Sequence, residues 1–148
     1  MIKKDYDCAI IGMGPGGITA AIYLKRFNID IICFEKNSIA SKVSKLNEVD
    51  NYPGIFGSGE NLAKHFIEQV QQNEIPVVNS SVQIIQKNDD LFVIQTDEGF
   101  YNAKSVIVCT GIREKEFKIP GEDSFEKRGI SRCAICDGAL YRRRDIAV

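Results

Sequence analysis

An α/β fold, a parallel sheet with a small antiparallel meander inserted, is what this sequence predicts. Three observations carry that expectation. Residues 6–11 and 29–34 are short apolar runs, the apolar positions between them fall at helical spacing, and a glycine-rich turn joins the first run to the helix. Unbroken apolar strands flanking one helix make a βαβ unit, because a strand covered on both faces has no polar side to show.

The elements follow in order. Tyr6 to Ile11 is the first strand, and Gly12-Met13-Gly14-Pro15-Gly16-Gly17 is the turn. A helix from Pro15 to Phe27 turns Ile18, Ala21, Ile22 and Leu24 inward, Asn28 ends it, and Ile29 to Phe34 form the second strand, closing on Glu35. Each glycine has a task in a dinucleotide site: Gly12 permits the tight turn, Gly14 admits a pyrophosphate to the backbone, and Gly17 lets helix and strand pack closely. The helix start offers free N–H groups and partial positive charge to phosphates. Glu35, 18 positions beyond the last glycine, can accept hydrogen bonds from a ribose. A glycine-rich turn without ligand is the plain alternative, but strand, loop, helix, strand and acid all stand in register.

Residues 36–60 are polar and broken by Pro53, Gly54, Gly57 and Gly59, an irregular connection in which Asn51-Tyr52-Pro53-Gly54 reads as a simple turn. Glu60 to Asn73 is an amphipathic helix with Leu62, Phe66 and Val70 on one side. His65 lies on this helix at the surface, away from any acidic or cysteine partner. Ile75–Val78, Val82–Gln86, Leu91–Thr96 and a piece near Phe100 are β-like, and tight Asn-Asp-Asp and Asp-Glu-Gly links make the later ones a meander. Ser105 to Cys109 is another buried strand ending in Thr110-Gly111, residues 112–121 read as a linker, and Asp145 to Val148 as the start of a further strand. A strand that begins at the last residues suggests that more sequence follows.

Length suits one domain with a substantial core, since the chain has 148 residues. The formal charge of -1 excludes a general binder of nucleic acid or acidic membranes, and the Arg142-Arg143-Arg144 cluster reads as a solvated turn. No apolar run approaches the roughly 20 residues of a membrane span, and the first strand leaves no room for a signal peptide, so a cytoplasmic location is expected. Five cysteines, an odd number, do not form a secreted disulfide scaffold. Cys8, Cys33 and Cys109 sit in β-like runs and read as small buried hydrophobes.

Cys133-Ala134-Ile135-Cys136-Asp137-Gly138 concentrates the chemistry. A zinc site needs about four Cys or His ligands, and the remaining cysteines and His65 are poor candidates, so no metal is expected. Two inert thiols or a redox dithiol remain. The dithiol is favoured because a cysteine near a helix start yields a usable thiolate, and Asp137 is placed to protonate a leaving thiolate.

Together with Asn51-Tyr52-Pro53-Gly54, Thr110-Gly111, Ile119-Pro120-Gly121-Glu122 and Arg128-Gly129-Ile130-Ser131, these motifs make the whole chain resemble the low-molecular-weight bacterial thioredoxin reductases. The resemblance implies a Rossmann-like FAD-binding domain over residues 1–113, a hinge at 114–120, and over 121–148 the start of a second, NADPH-type dinucleotide-binding domain. It implies FAD held by Gly12, Gly14, Pro15, Gly16, Gly17, Glu35, Lys36, Asn51, Val82, Thr110 and Gly111. Catalysis would fall to Cys133, which attacks the thioredoxin disulfide, Cys136, which faces the flavin, and Asp137, the acid. NADPH would be the donor, thioredoxin the partner and a homodimer the assembly. The chain departs from the pattern at Ala40, Ser41 and Lys42, where relatives carry Gly-Gly-Gln, and it stops before any second glycine loop. A ferredoxin-linked flavin thioredoxin reductase and a non-catalytic flavin-binding module are the alternatives.

Overall fold

In the computed structural model, residues 5–112, 119–125 and 128–147 are described, with only the backbone of 135 and 136. The chain divides into two units, Met1–Ile112 and Arg113–Val148.

The first unit is built on one mixed sheet. Its strands are β1 (Asp5–Ile11), β2 (Ile31–Phe34), β5 (Val77–Val78), β6 (Val82–Asn88), β7 (Leu91–Thr96) and β8 (Gly99–Val108), in the order β5-β2-β1-β8-β7-β6. β1 pairs in parallel with both β2 and β8, whereas β7 runs antiparallel to β6 and to β8. A separate hairpin, β3 (Val49–Tyr52) and β4 (Ile55–Gly57), lies within residues 36–60. Helix α1 spans Pro15–Arg26 and α2 spans Gly59–Gln72.

Period-two alternation sends each strand's residues to two cores. Cys8, Ile10, Ile31 and Cys33 pack with Ile18 and Ala21 of α1 and with Leu62, Ala63, Phe66 and Val70 of α2. The neighbours Ala9, Ile11, Ile32 and Phe34 form the other cluster with Ile94 of β7 and Ala103 of β8. The sheet therefore curls so that its own meander covers the face the helices leave. Phe34 and Tyr101 meet edge to face there, with centroids 4.9 Å apart.

The α/β fold with a parallel sheet and a meander is thus present, with several corrections to the sequence expectation. The piece near Phe100 and the strand expected over 105–109 are one strand, β8. It is not buried throughout: Ser105 is exposed and Val108 is 64% exposed. The connection 36–60 is less irregular than expected, holding a 3-10 turn at Val43–Lys45 and the β3–β4 hairpin. Pro53-Gly54 is that hairpin's two-residue turn, with Gly54 at φ +83°. His65 is exposed as expected, but its Nδ1 lies 3.4 Å from Glu68 Oε2, an acidic neighbour one helical turn away. Cys8 and Cys33 are buried; Cys109 is only half-buried.

The second unit holds a 3-10 turn at Glu122–Ser124, helix α3 (Ala134–Asp137) and a 3-10 turn at Gly138–Tyr141. Arg142, Arg143 and Arg144 form an exposed turn and bend. Asp145 to Ala147 are exposed coil rather than a strand, and the described residues of their unit form no strand that could pair with them. The linker expected at 114–120 falls mostly outside the described residues.

Candidate functional site

The glycine turn leaves the end of β1 where both neighbouring strands hold it: Gly12 N–H donates to Phe34 O (2.8 Å) and Cys109 N–H to Ile11 O (2.8 Å). Gly12 takes φ +99°, and a Cβ there would meet Cys109 O at 2.5 Å. At Gly17 an added Cβ would lie 1.9 Å from Gly12 O, so helix α1 closes onto the turn with no room for a side chain. Gly14 is different. It is the N-cap of α1 with φ -82°, a backbone any residue can adopt, and an added Cβ would meet nothing within 4 Å. No side chain caps this helix start, and Pro15, which lacks an N–H, opens the first turn. The surface in front of Gly14 is thus open while the turn beneath it is tightly packed.

Glu35 follows β2 and curls its carboxylate over this turn. Its Oε2 accepts from Met13 N–H at 2.9 Å and its Oε1 from Asn37 N–H at 3.0 Å, which leaves lone pairs for further donors. Ala40 N–H donates to Met13 O (2.9 Å), folding the following segment across the same turn. Thr110 and Gly111 arrive from β8 on the other side, the Thr110 Cα lying 3.2 Å from a Cβ built on Gly12. Lys42 reaches to the same strand exit, its ammonium donating to Ile112 O and lying 3.8 Å from a Cβ built on Gly111.

Gly12, Gly14, Pro15, Gly16, Gly17, Glu35, Thr110 and Gly111 are therefore brought together at one end of the sheet. Lys36 is exposed next to Glu35. Asn51 is exposed on the separate β3–β4 hairpin, and Val82, half-buried, begins β6 and packs on the second core. A dinucleotide fits this end on one ground, the open approach at Gly14 above an uncapped helix start. Sequence reasoning missed the part played by Lys42, which belongs to no spacing rule. In the core beside the turn, burial and then the neighbouring Cys8 push the Cys33 thiol up to about 12, which keeps it neutral and unreactive.

In the second unit Cys133 directly precedes α3 and is disulfide-bonded. The side chain of Cys136 lies outside the described residues. Asp137 stands one helical turn on, its N–H donating to Cys133 O at 3.0 Å. Ser131 donates to Asp137 Oδ2 at 2.6 Å and accepts from Cys133 N–H at 3.2 Å. A half-open cleft is lined by Ile130, Ser131, Cys133, Asp137, Leu140 and Tyr141. Arg132, which also lines the cleft, pairs with the buried Glu122, which accepts from Ile119 N–H at 2.9 Å. Among the described residues no group of three or more His, Cys, Asp or Glu could hold a metal.

The family model for pyridine nucleotide-disulphide oxidoreductases matches residues 6–148. The chain belongs to that family. Its similarity to the thioredoxin reductase of Ureaplasma parvum serovar 3 is 36% identity over 149 residues, covering 100% of this chain and 48% of that protein. A thioredoxin reductase structure from Streptococcus pyogenes superposes with TM-score 0.77 at 35% identity, over 93% of this chain and 45% of the other. A ferredoxin-flavin thioredoxin reductase structure from Clostridium acetobutylicum gives TM-score 0.72 at 34% identity, over 93% and 48%. The chain spans about half the length of the curated relatives it matches. Within this oxidoreductase family, Ser131 is the feature the sequence reading left without a role. Its signal was its place at the end of the Arg128-Gly129-Ile130-Ser131 run, two residues before the C-x-x-C pair.

Proposed function

We propose that this chain is the flavin-binding and dithiol-bearing part of an FAD-dependent thioredoxin-disulfide reductase. Residues 1–113 form the first segment of the FAD domain, 114–120 the hinge, and 121–148 the start of a second dinucleotide-binding domain. The observation that carries the reading is an oxidised Cys133 sharing a cleft with a carboxylate, on a chain whose other unit holds a dinucleotide turn.

FAD would be held by Gly12, Gly14, Pro15, Gly16 and Gly17 at its pyrophosphate and by Glu35 and Lys36 at its ribose. Asn51, Val82, Thr110 and Gly111 complete the set. When bound, the flavin supplies the electron pair that opens the protein disulfide. The chain's own residues do the rest: Cys133 attacks the disulfide of thioredoxin, Asp137 protonates the departing thiolate, and Cys136 resolves the mixed disulfide. NADPH is the donor in this reading, and the enzyme works as a cytoplasmic homodimer. The likeness to a ferredoxin-flavin enzyme favours a second reading for the donor alone, reduced ferredoxin in place of NADPH.

The test is direct. Purified protein should be yellow with a flavin spectrum, and thioredoxin-disulfide reduction should vanish in Cys133→Ser and in Cys136→Ser. Retained reduction in either variant would overturn the assignment. Supplying NADPH and reduced ferredoxin in turn separates the two donors.

A further inference from the structure

The Ser131 hydroxyl is used in both directions. It accepts from the N–H of Cys133 at 3.2 Å and donates to Asp137 Oδ2 at 2.6 Å; the alternative acceptor, Cys133 O, is more distant at 3.3 Å. A hydroxyl has one proton to give, so the carboxylate receives it. The next residue, Arg132, is anchored on the buried carboxylate of Glu122. Adjacent side chains thus fix the backbone on one side of Cys133 and the carboxyl one helical turn beyond it.

We propose that Ser131 is a positioning residue, which holds the Asp137 carboxyl in the rotamer that faces the sulfur exchange at Cys133. The proposal rests on the disulfide-reductase reading above. A half-buried aspartate without such a partner can sample several rotamers, and a proton donor helps only from the one within reach of the leaving sulfur. The step balances. The Cys133 thiolate forms an S–S bond to one sulfur of the partner disulfide as the partner's own S–S bond breaks, and the departing thiolate takes the proton of the Asp137 carboxyl. The Cys136 thiolate then attacks the Cys133 sulfur and releases the second partner sulfur as a thiolate, which solvent protonates. Two thiols of this chain are oxidised and one disulfide of the partner is reduced.

How basic the leaving thiolate is separates positioning of an acid from general distortion. A proton speeds the departure of a strongly basic alkyl thiolate far more than that of a nitrobenzoate thiolate. The native protein, reduced with dithiothreitol and desalted, is mixed with hydroxyethyl disulfide or with the aromatic disulfide of thionitrobenzoate, and single-turnover exchange is followed. Ser131→Ala should slow the alkyl disulfide by up to about tenfold, the worth of one hydrogen bond, and change the aromatic one by less than about twofold. Ser131→Thr should restore the alkyl rate. In an Asp137→Asn background Ser131→Ala should add nothing. Equal slowing of both disulfides, or additivity with Asp137→Asn, would overturn the proposal in favour of a purely structural serine. If Asp137→Asn slows the alkyl disulfide and Ser131→Ala does not, the positioning role alone fails. If Asp137→Asn slows neither, the acid assignment falls and takes the proposal with it.

Discussion

At the scale of single residues, the three glycines that one motif groups together separate by what surrounds them. Gly17 is required by the chain itself, because an added methyl would sit 1.9 Å from a backbone oxygen. Gly17→Ala should lower stability by about 1–3 kcal/mol in urea unfolding. Gly14→Ala should change stability by less than about 0.5 kcal/mol, since nothing lies within 4 Å, yet reduce the flavin retained per protein. A Gly14→Ala protein that keeps its full flavin content would show that the open surface has no ligand to exclude. Cys33 gives the pH dependence. Its thiol rises from an ordinary 9.0 to about 12, so it stays protonated in the fold where an unfolded chain would ionise. The associated stability is intact below pH 9 and lost as pH climbs toward 12, at roughly 1.4 kcal/mol per pH unit. Urea midpoints taken at pH 8, 9 and 10 should fall less steeply in Cys33→Ala than in the parent. The glycine positions and the inert strand cysteines were legible because each follows from backbone sterics or an apolar run. Ser131 was not, because a hydroxyl's partner depends on a turn whose geometry no spacing encodes.

Elements were read well where local signals are strong and poorly where pairing decides. Asn28 was expected to end the first helix, and it does so at φ +57°, with Asn28 N–H on Lys25 O (3.0 Å) and Ile29 N–H on Leu24 O (3.0 Å). The second helix ends the same way, with Glu74 at φ +50°, Glu74 N–H on Gln71 O and Ile75 N–H on Val70 O. A glutamate is a poor occupant there: its Cβ disfavours the left-handed backbone and its charge opposes the helix dipole. Glu74→Gly should therefore stabilise by about 1 kcal/mol, seen as a rise of several degrees in the thermal midpoint. β8 was divided in two by the sequence because Asn102 and Lys104 interrupt its apolar pattern. Its continuity comes from partners, Asn102 Nδ2 donating to Asp5 Oδ1 at 2.9 Å and Lys104 pairing with Asp7 at 2.7 Å. Residues 145–147 failed as a strand for the converse reason: apolar content without a described strand in their own unit to pair with.

For the molecule as a whole, the sequence indicated the layers but not how the second core is closed. Ile10 and Ile94 are both fully buried, Ile10 under the helices and Ile94 on the meander where it meets the second core. Truncating either to alanine should cost about 2–5 kcal/mol in the same urea transition. A much smaller loss for Ile94→Ala would mean that the meander is only loosely seated. Because β8 pairs with β1 along one edge and with β7 along the other, the hairpin beyond it is no detachable ornament on a nucleotide-binding frame. Excising residues 83–95 would strip a roof and a wall at once, and an engineer seeking a minimal scaffold from this chain would have to keep both.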